Sequence, residues 1–302
     1  MITSNKKNVC IIGYGRLGSH LYYALKDTGK YKINALIKNS SSPLNVQDVN
    51  NSNIIFICTQ DSKIKTVVNK LAGEKFNLRT KTIYHTSGAH SSDILLNLKK
   101  KGAYIGSFHP VQTFEQITKK DLRRFKDIYI AIEGDKRAIK EASTIILKLN
   151  AHQVVLSKRR RVLHHINCVI ASNFLIGLLS EIQKISTSLG FEKNNKKIPK
   201  NGFNKPGFFD IYKPLITQTM KNIERMGLEN SLTGPIERND LDTVMLHLNT
   251  LNSECKELLP FYILMSFETA KLGVKKKSLS QEDVRALHDL MKNYLINNKL
   301  LN

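Results

Sequence analysis

A short apolar run, Val9-Cys10-Ile11-Ile12, breaks into Gly13-Tyr14-Gly15-Arg16-Leu17-Gly18, and helical spacing resumes in LGSHLYYALKDTG. Few sequence features restrict a fold more. Strand, tight glycine turn and helix, in that order, build the first unit of a dinucleotide-binding sheet. Gly13 permits the turn, Gly15 admits a pyrophosphate to the backbone, and Gly18 lets the helix close on the strand. The amides along Tyr14, Arg16 and Leu17 then offer the anion unpaired N–H groups at the positive end of a helix.

The strands that follow carry polar exits. Lys32–Ile37 reads as a second strand and ends in Lys38-Asn39-Ser40-Ser41-Ser42, about 20 residues beyond the glycines, where an NAD-preferring domain places Asp or Glu. A cation and hydroxyls there suit a 2′-phosphate, so Lys38 and Ser40 are expected to favour NADP over NAD; an ordinary polar loop is the alternative. Asn53–Cys58 is a buried-type strand leading to Thr59-Gln60-Asp61-Ser62. Ligands of doubly wound sheets sit beyond the carboxyl ends of strands, which points Thr59 at the cofactor. Asp61 either joins it or only caps the helix IKTVVNKLAG. Lys81–His85 exits into Thr86-Ser87-Gly88-Ala89, a helix SSDILLNLKKKG follows, and Ala103–Phe108 exits into His109-Pro110-Val111-Gln112. Strand Asp127–Glu133, helix Asp135–Leu149 and strand His152–Leu156 complete the alternation. The pattern predicts an α/β, doubly wound, mostly parallel Rossmann sheet over residues 1–157.

From Lys158 only helices are expected, giving an all-helical substrate and dimerisation domain over residues 158–302. Val162–Leu189 reads as its long core helix, and Phe191–Phe209 as a mobile loop. Ile211–Met226 is expected to end at Gly227, Asp240 to cap the next helix, Pro260–Leu272 to continue it, and Ser280 with Asp283 to open the last one. No segment is read as reaching the ~18 apolar residues of a membrane span. The start, MITSNKKNVCIIG, leaves no room for a signal peptide. Four widely spaced cysteines read as reduced thiols, so the cytoplasm is the expected location. A net charge of +22 raises nucleic acid as a partner. The charges are spread, however, and no aromatics interleave with them to stack bases. A basic surface also draws phosphorylated cofactors and acidic metabolites.

Five motifs in order, GYGRLG, HTSGA, SFHPVQTF, HHINCVIASNF and LTGPIERNDLDTVMLHL, resemble a Rossmann-like family. Its helical C-terminal part is catalogued as a domain of unknown function, and its members are usually named provisionally as NADP oxidoreductases. The resemblance spans roughly residues 8–272. By architecture it extends to 6-phosphogluconate dehydrogenase, pyrroline-5-carboxylate reductase and ketopantoate reductase. It implies a Rossmann domain joined to a helical domain resembling the C-terminal part of 6-phosphogluconate dehydrogenase, often a homodimer. It also implies hydride transfer between NAD(P) and a small anionic carbonyl, imine or hydroxy acid in the interdomain cleft. Function carried by fold alone is analogy, and one departure matters. Hydroxyacid dehydrogenases of this superfamily usually carry a catalytic Lys near the start of the first helix of the helical domain, where this chain has His164 and His165. A protein that binds dinucleotide as a sensor or scaffold without catalysis is therefore the alternative.

The residues expected at the chemistry are Ser87 and His109 at strand exits, with His165 and Asn173 on the first helix of the second half. An imidazole titrates near neutrality and can protonate an oxygen or nitrogen as hydride arrives. Asn173 lies eight residues beyond His165, about 80° around a regular helix, and can orient the substrate. No metal is expected: the adjacent His164 and His165 point to different helix faces, and there is no H-E-x-x-H or paired-cysteine motif.

Overall fold

The computed structural model describes residues 6–73, 75–116, 125–191 and 207–298. They form two compact units, residues 1–175 and 176–302. The first holds β1 (Lys7–Ile12), α1 (Arg16–Asp27), β2 (Tyr31–Ile37), α2 (Val46–Asn50), β3 (Ile54–Ile57), α3 (Asp61–Leu71) and β4 (Thr82–His85). It continues with α4 (Leu96–Lys99), β5 (Tyr104–Pro110), β6 (Tyr129–Gly134), α5 (Lys136–Lys148), β7 (His152–Val155) and α6 (Arg161–Val169), followed by a π turn at Ile170–Phe174. All seven expected strands join one sheet in the order β2-β1-β3-β4-β5-β6-β7.

Side-chain alternation in β1 shows why the sheet has two covered faces. Val9 and Ile11 point to one side and Cys10 and Ile12 to the other, all fully buried, as expected for a strand with a two-residue period between helix layers. One layer packs α1 and α5 through Leu21, Leu25, Ala142 and Ile145 against Val9, Ile11 and Phe56. The opposite layer packs α3 through Ile64, Val67, Val68 and Leu71 against Ile12, Ile55 and Ile57. Burying each such side chain contributes on the order of 2 kcal/mol. The strand order reverses at β1, with β2 on one side and β3 on the other, both parallel to it. That reversal opens a crevice at the carboxyl ends of β1 and β3.

The sheet departs from the parallel rule once. β5 and β6 run antiparallel, with Gly106 opposite Gly134. Gly134 has φ 144°, and a Cβ on it would lie 2.5 Å from the Gly106 Cα, so the two backbones approach as only glycines allow. β7 then resumes parallel pairing with β6. Two helices differ from expectation. Val46–Asn50 is a short helix in a stretch with no clear period. The SSDILLNLKKKG segment is a 3₁₀ turn at Ser92–Leu95 followed by the four-residue α4.

The second unit holds α7 (Leu175–Ser188), α8 (Phe208–Ser231), α9 (Leu241–Glu254), α10 (Leu259–Lys276) and α11 (Gln281–Asn297). Val244, Leu248, Ile263, Ala270, Leu287 and Met291 form its core. The Asp240 carboxylate accepts from the Thr243 amide at 3.0 Å, and Ser280 with Asp283 forms a capping box, both as expected. Gly227 breaks α8 with φ 80° and ψ 173°, yet helical turns resume through Ser231. Most of the loop expected over 191–209 lies outside the described residues. One expectation is corrected. The run Lys158–Ser188, 31 residues, is long and apolar enough to cross a membrane by length and composition, and none of its most apolar window is buried. His164, His165 and Asn167 interrupt the run, but the apolar residues around them outweigh these polar groups over its length.

Candidate functional site

The glycine turn divides its labour by space. Gly13 has φ 104°, and a Cβ there would stand 2.7 Å from the Cys58 carbonyl, in the backbone leaving β3. A Cβ on Gly18 would stand 1.8 Å from the Gly13 oxygen. Gly15 has no heavy atom within 4 Å of that position. Two glycines therefore serve close packing, and the third leaves the approach to the helix end open. Gly15 caps α1 without a side chain, and the first turn carries no acidic residue. The Gly13 and Tyr14 amides are already given to Ile37 and Lys38 carbonyls of the β2 exit, both at 2.8 Å. The Tyr14 amide is thus committed to the turn, and Arg16, Leu17 and Gly18 hold the N–H groups that a helix start leaves unpaired.

At the β2 exit Lys38 is exposed and Ser40 half-buried. The Asn39 side chain folds the loop by accepting the Ser41 and Ser42 amides at 2.9 and 3.0 Å. Lys70, from the last turn of α3, donates to the Ser40 carbonyl at 2.7 Å. It brings an ammonium to the backbone of the β2 exit. Its position in the helix pattern gave no sign of this, because a lysine there reads as a solvated face.

Beyond the turn lies a cleft of about 670 Å³, lined among others by Gly15, Arg16, Thr59, Asp61, Ser87, His109 and His165. Every lining residue belongs to the first unit. The Thr59 hydroxyl is buried here without a partner. Asp61 is not the helix cap, since Gln60 holds that position without capping through its side chain. Asp61 accepts instead from the Ser87 hydroxyl at 2.7 Å. That hydroxyl also receives the Ala89 and His90 amides, both at 3.2 Å, and the Ser87 carbonyl receives Arg161 Nη2. Ser87 is therefore fully engaged in shaping its loop. Arg161, the last of three consecutive arginines, is completely buried. The buried Glu133 carboxylate, which also takes the Ser92 amide and hydroxyl, stands among the charges that offset it.

Two imidazoles converge over Gly88. A Cβ there would lie 2.5 Å from His165 Nδ1 and 2.8 Å from His109 Nε2, so only glycine gives them room. Their ring centroids are 6.1 Å apart, and the Nδ1 atom of each is buried without a partner. Burial, with Arg161 and the neighbouring imidazoles adding to it, lowers the His109 pKa to about 3. His109 is neutral at physiological pH and can orient or accept, but it carries no spare proton. His164 is not among the lining residues, but its ring lies beside that of His109, with centroids 5.9 Å apart. Asn173 lies on the π turn, is exposed, and is not among the cleft's lining residues. A π turn absorbs one extra residue, which brings Asn173 closer to the His165 face than a regular helix would. Eight residues still separate them by about 12 Å along the axis.

Burial at the end of β4, ahead of Arg161, also lowers the His85 pKa to about 3. In the unfolded chain both His85 and His109 titrate near 6.5. The unfolded state takes up protons between pH 6.5 and 3 that the folded state refuses, so this stability is present above pH 6.5 and is lost as pH falls towards 3. The urea midpoint at pH 5 is expected to lie clearly below that at pH 7, a loss of a few kcal/mol. Equal midpoints would contradict burial of the two neutral rings.

A doubly wound sheet with an open glycine turn at its topological switch point is a Rossmann-like domain. The chain joins such a domain, matched over residues 1–110, to a domain of unknown function, DUF2520, matched over residues 128–269. No curated protein matches it in sequence. A Bacteroides fragilis structure, provisionally named an NADP oxidoreductase, aligns at TM-score 0.66 and 18% identity over 89% of this chain and 100% of its own. A Thermotoga maritima protein aligns at 0.55 and 22%, covering 94% and 98%. An imine reductase from Pseudomonas sp. aligns at 0.54 and 17%, covering 95% and 100%. At these identities the likeness is one of fold.

Proposed function

We propose that the chain is an NADP-dependent oxidoreductase that transfers hydride to or from a small anionic imine, carbonyl or hydroxy acid. The convergence of His109 and His165 over Gly88, in the cleft that also holds the open glycine turn, carries this reading. In the reducing direction hydride leaves the nicotinamide for the carbon of C=N or C=O, and the heteroatom takes a proton from His165. His109, being neutral, orients the substrate. Ser87 holds its loop, and Asn173 enters only if substrate or a further element brings it close. The imine reductase fold of the Pseudomonas protein favours C=N among these substrates.

The preference for NADP rests on Lys38, Ser40 and Lys70 around a β2 exit that contains no acid; an imine reductase from Myxococcus stipitatus, of similar fold, is described with NAD+. Lys38→Ala should weaken NADPH about tenfold, the worth of one charge-assisted contact, and leave NADH unchanged, as read by fluorescence titration. Equal loss for both cofactors would remove the 2′-phosphate assignment. If NADPH binds but no imine, keto acid or hydroxy acid turns over, the non-catalytic sensor is the better reading.

We also propose a cytoplasmic homodimer. Val162, Leu163, Ile166, Ile170 and Phe174 are 46–63% exposed along α6 and the π turn, a stripe too apolar to face water alone. A second copy of the chain covers it most simply. Phe174→Glu should shift the sedimenting species from dimer to monomer with helical content retained. A monomeric wild type would dismiss the dimer.

A further inference from the structure

His164 and Cys168 are four residues apart on α6, which places both side chains on one face. Cys168 Sγ lies 3.7 Å from His164 Nε2. His109 reaches the same point from the end of β5, and one ligand atom from each of the three residues lies within 4.8 Å of the other two. Standard zinc–sulfur and zinc–nitrogen bond lengths, about 2.3 and 2.0 Å, set the S–N separation across a tetrahedral ion at roughly 3.6 Å. The helix pair is already spaced for one ion, and a shift of about an ångström would bring in the third donor.

We propose that His109, His164 and Cys168 form a site for a zinc-like divalent transition metal, with a fourth position left for water or a small ligand's heteroatom. Two imidazoles and a thiolate are the donors that borderline-soft ions prefer over calcium or magnesium. The i,i+4 pair supplies the chelate, and a residue from a separate strand supplies the third ligand, so the geometry is set by tertiary structure. The expectation of no metal rested on the faces of His164 and His165 and on the lack of an H-E-x-x-H or paired-cysteine motif; His164 instead meets His109 and Cys168, one of them from a distant strand. Arg161 is the charge that opposes a cation here. The Asp61 and Glu133 carboxylates act on it in the opposite sense, as does the Cys168 sulfur once the metal has displaced its proton to solvent. A plain S–H···N hydrogen bond within α6 accounts for the 3.7 Å contact alone, but not for the approach of His109 to the same pair. The inference does not depend on hydride transfer, because binding is read without substrate or cofactor.

The test is cobalt titration of the full-length, chelator-treated protein. One equivalent should produce a thiolate-to-cobalt charge-transfer band in the near ultraviolet and intense visible bands of a four-coordinate ion, both abolished by added zinc. Cys168→Ala should lose the charge-transfer band and bind at least tenfold more weakly. Cys168→His should restore tight binding and the visible bands without the charge-transfer band. Circular dichroism of each variant checks that the fold is kept. The proposal is overturned if cobalt gives no such bands with the wild type, or if a folded Cys168→Ala variant keeps the charge-transfer band.

Discussion

Gly15→Ala should fold as the wild type and lose dinucleotide binding, whereas Gly18→Ala should lose the fold of the turn itself. The contrast follows from space. A Cβ on Gly15 meets no heavy atom within 4 Å, and its φ of −83° suits any residue, so the melting temperature should be unchanged. The methyl group would occupy the approach of the pyrophosphate, and affinity for NADPH should fall by about two orders of magnitude, the equivalent of losing ~3 kcal/mol. On Gly18 the same methyl group would stand 1.8 Å from the Gly13 oxygen. Overpacking of this kind costs about 1–3 kcal/mol. The gain in helix propensity, about 1 kcal/mol for Gly to Ala, offsets only part of that. Thermal melts and NADPH titration of the two variants separate packing from binding. Unimpaired NADPH binding by Gly15→Ala would place the cofactor somewhere other than the glycine turn.

The second large effect is expected at His165. If it donates the proton that accompanies hydride transfer, His165→Ala should lower kcat by about 10²- to 10⁴-fold while the Kd for NADPH stays as in the wild type. His109→Asn should act mainly on KM, because a neutral ring that only orients substrate can be replaced in part by an amide. Steady-state kinetics on a panel of cyclic imines and 2-keto acids reads both. A His165→Ala variant with wild-type kcat would move proton donation to another group or to water.

Much of the first unit was legible because its signals are local. Each strand is a short apolar run ending in polar residues, and each glycine of the opening turn has a role set by its own backbone. What was not legible arises from contacts distant in sequence. Asp61 reads as a helix cap until Ser87, 26 residues on, is seen to donate to it. Arg161 stands in an Arg-Arg-Arg run with nothing to mark it as different from its neighbours, yet it heads the large fully buried side chains among the described residues. Lys70 joins the β2 exit only because α3 runs back beside it. Nor does a sequence state that β6 pairs antiparallel with β5, since strand direction depends on how the connection between them crosses the sheet end. The candidate site was legible in part. His109 and His165 were named from their motifs, but nothing in the spacing showed that Gly88 lets them meet or that His164 meets both His109 and Cys168.

The antiparallel seam between β5 and β6 separates inheritance from folding. The Rossmann-like sequence family ends at residue 110 and the DUF2520 family begins at residue 128, and that junction falls between two strands paired edge to edge through five residues each. Two families that sequence treats as separate modules share one sheet. A fragment starting at residue 128 would carry β6, α5 and β7 with the open edge of β6 unmatched, and a fragment ending at 110 would expose β5 in the same way. Recombination between relatives is therefore constrained to exchange both parts together or to preserve the facing Gly106 and Gly134. Fragments cut at the family boundary are expected to aggregate through their bared strands, even though each contains a complete family signature.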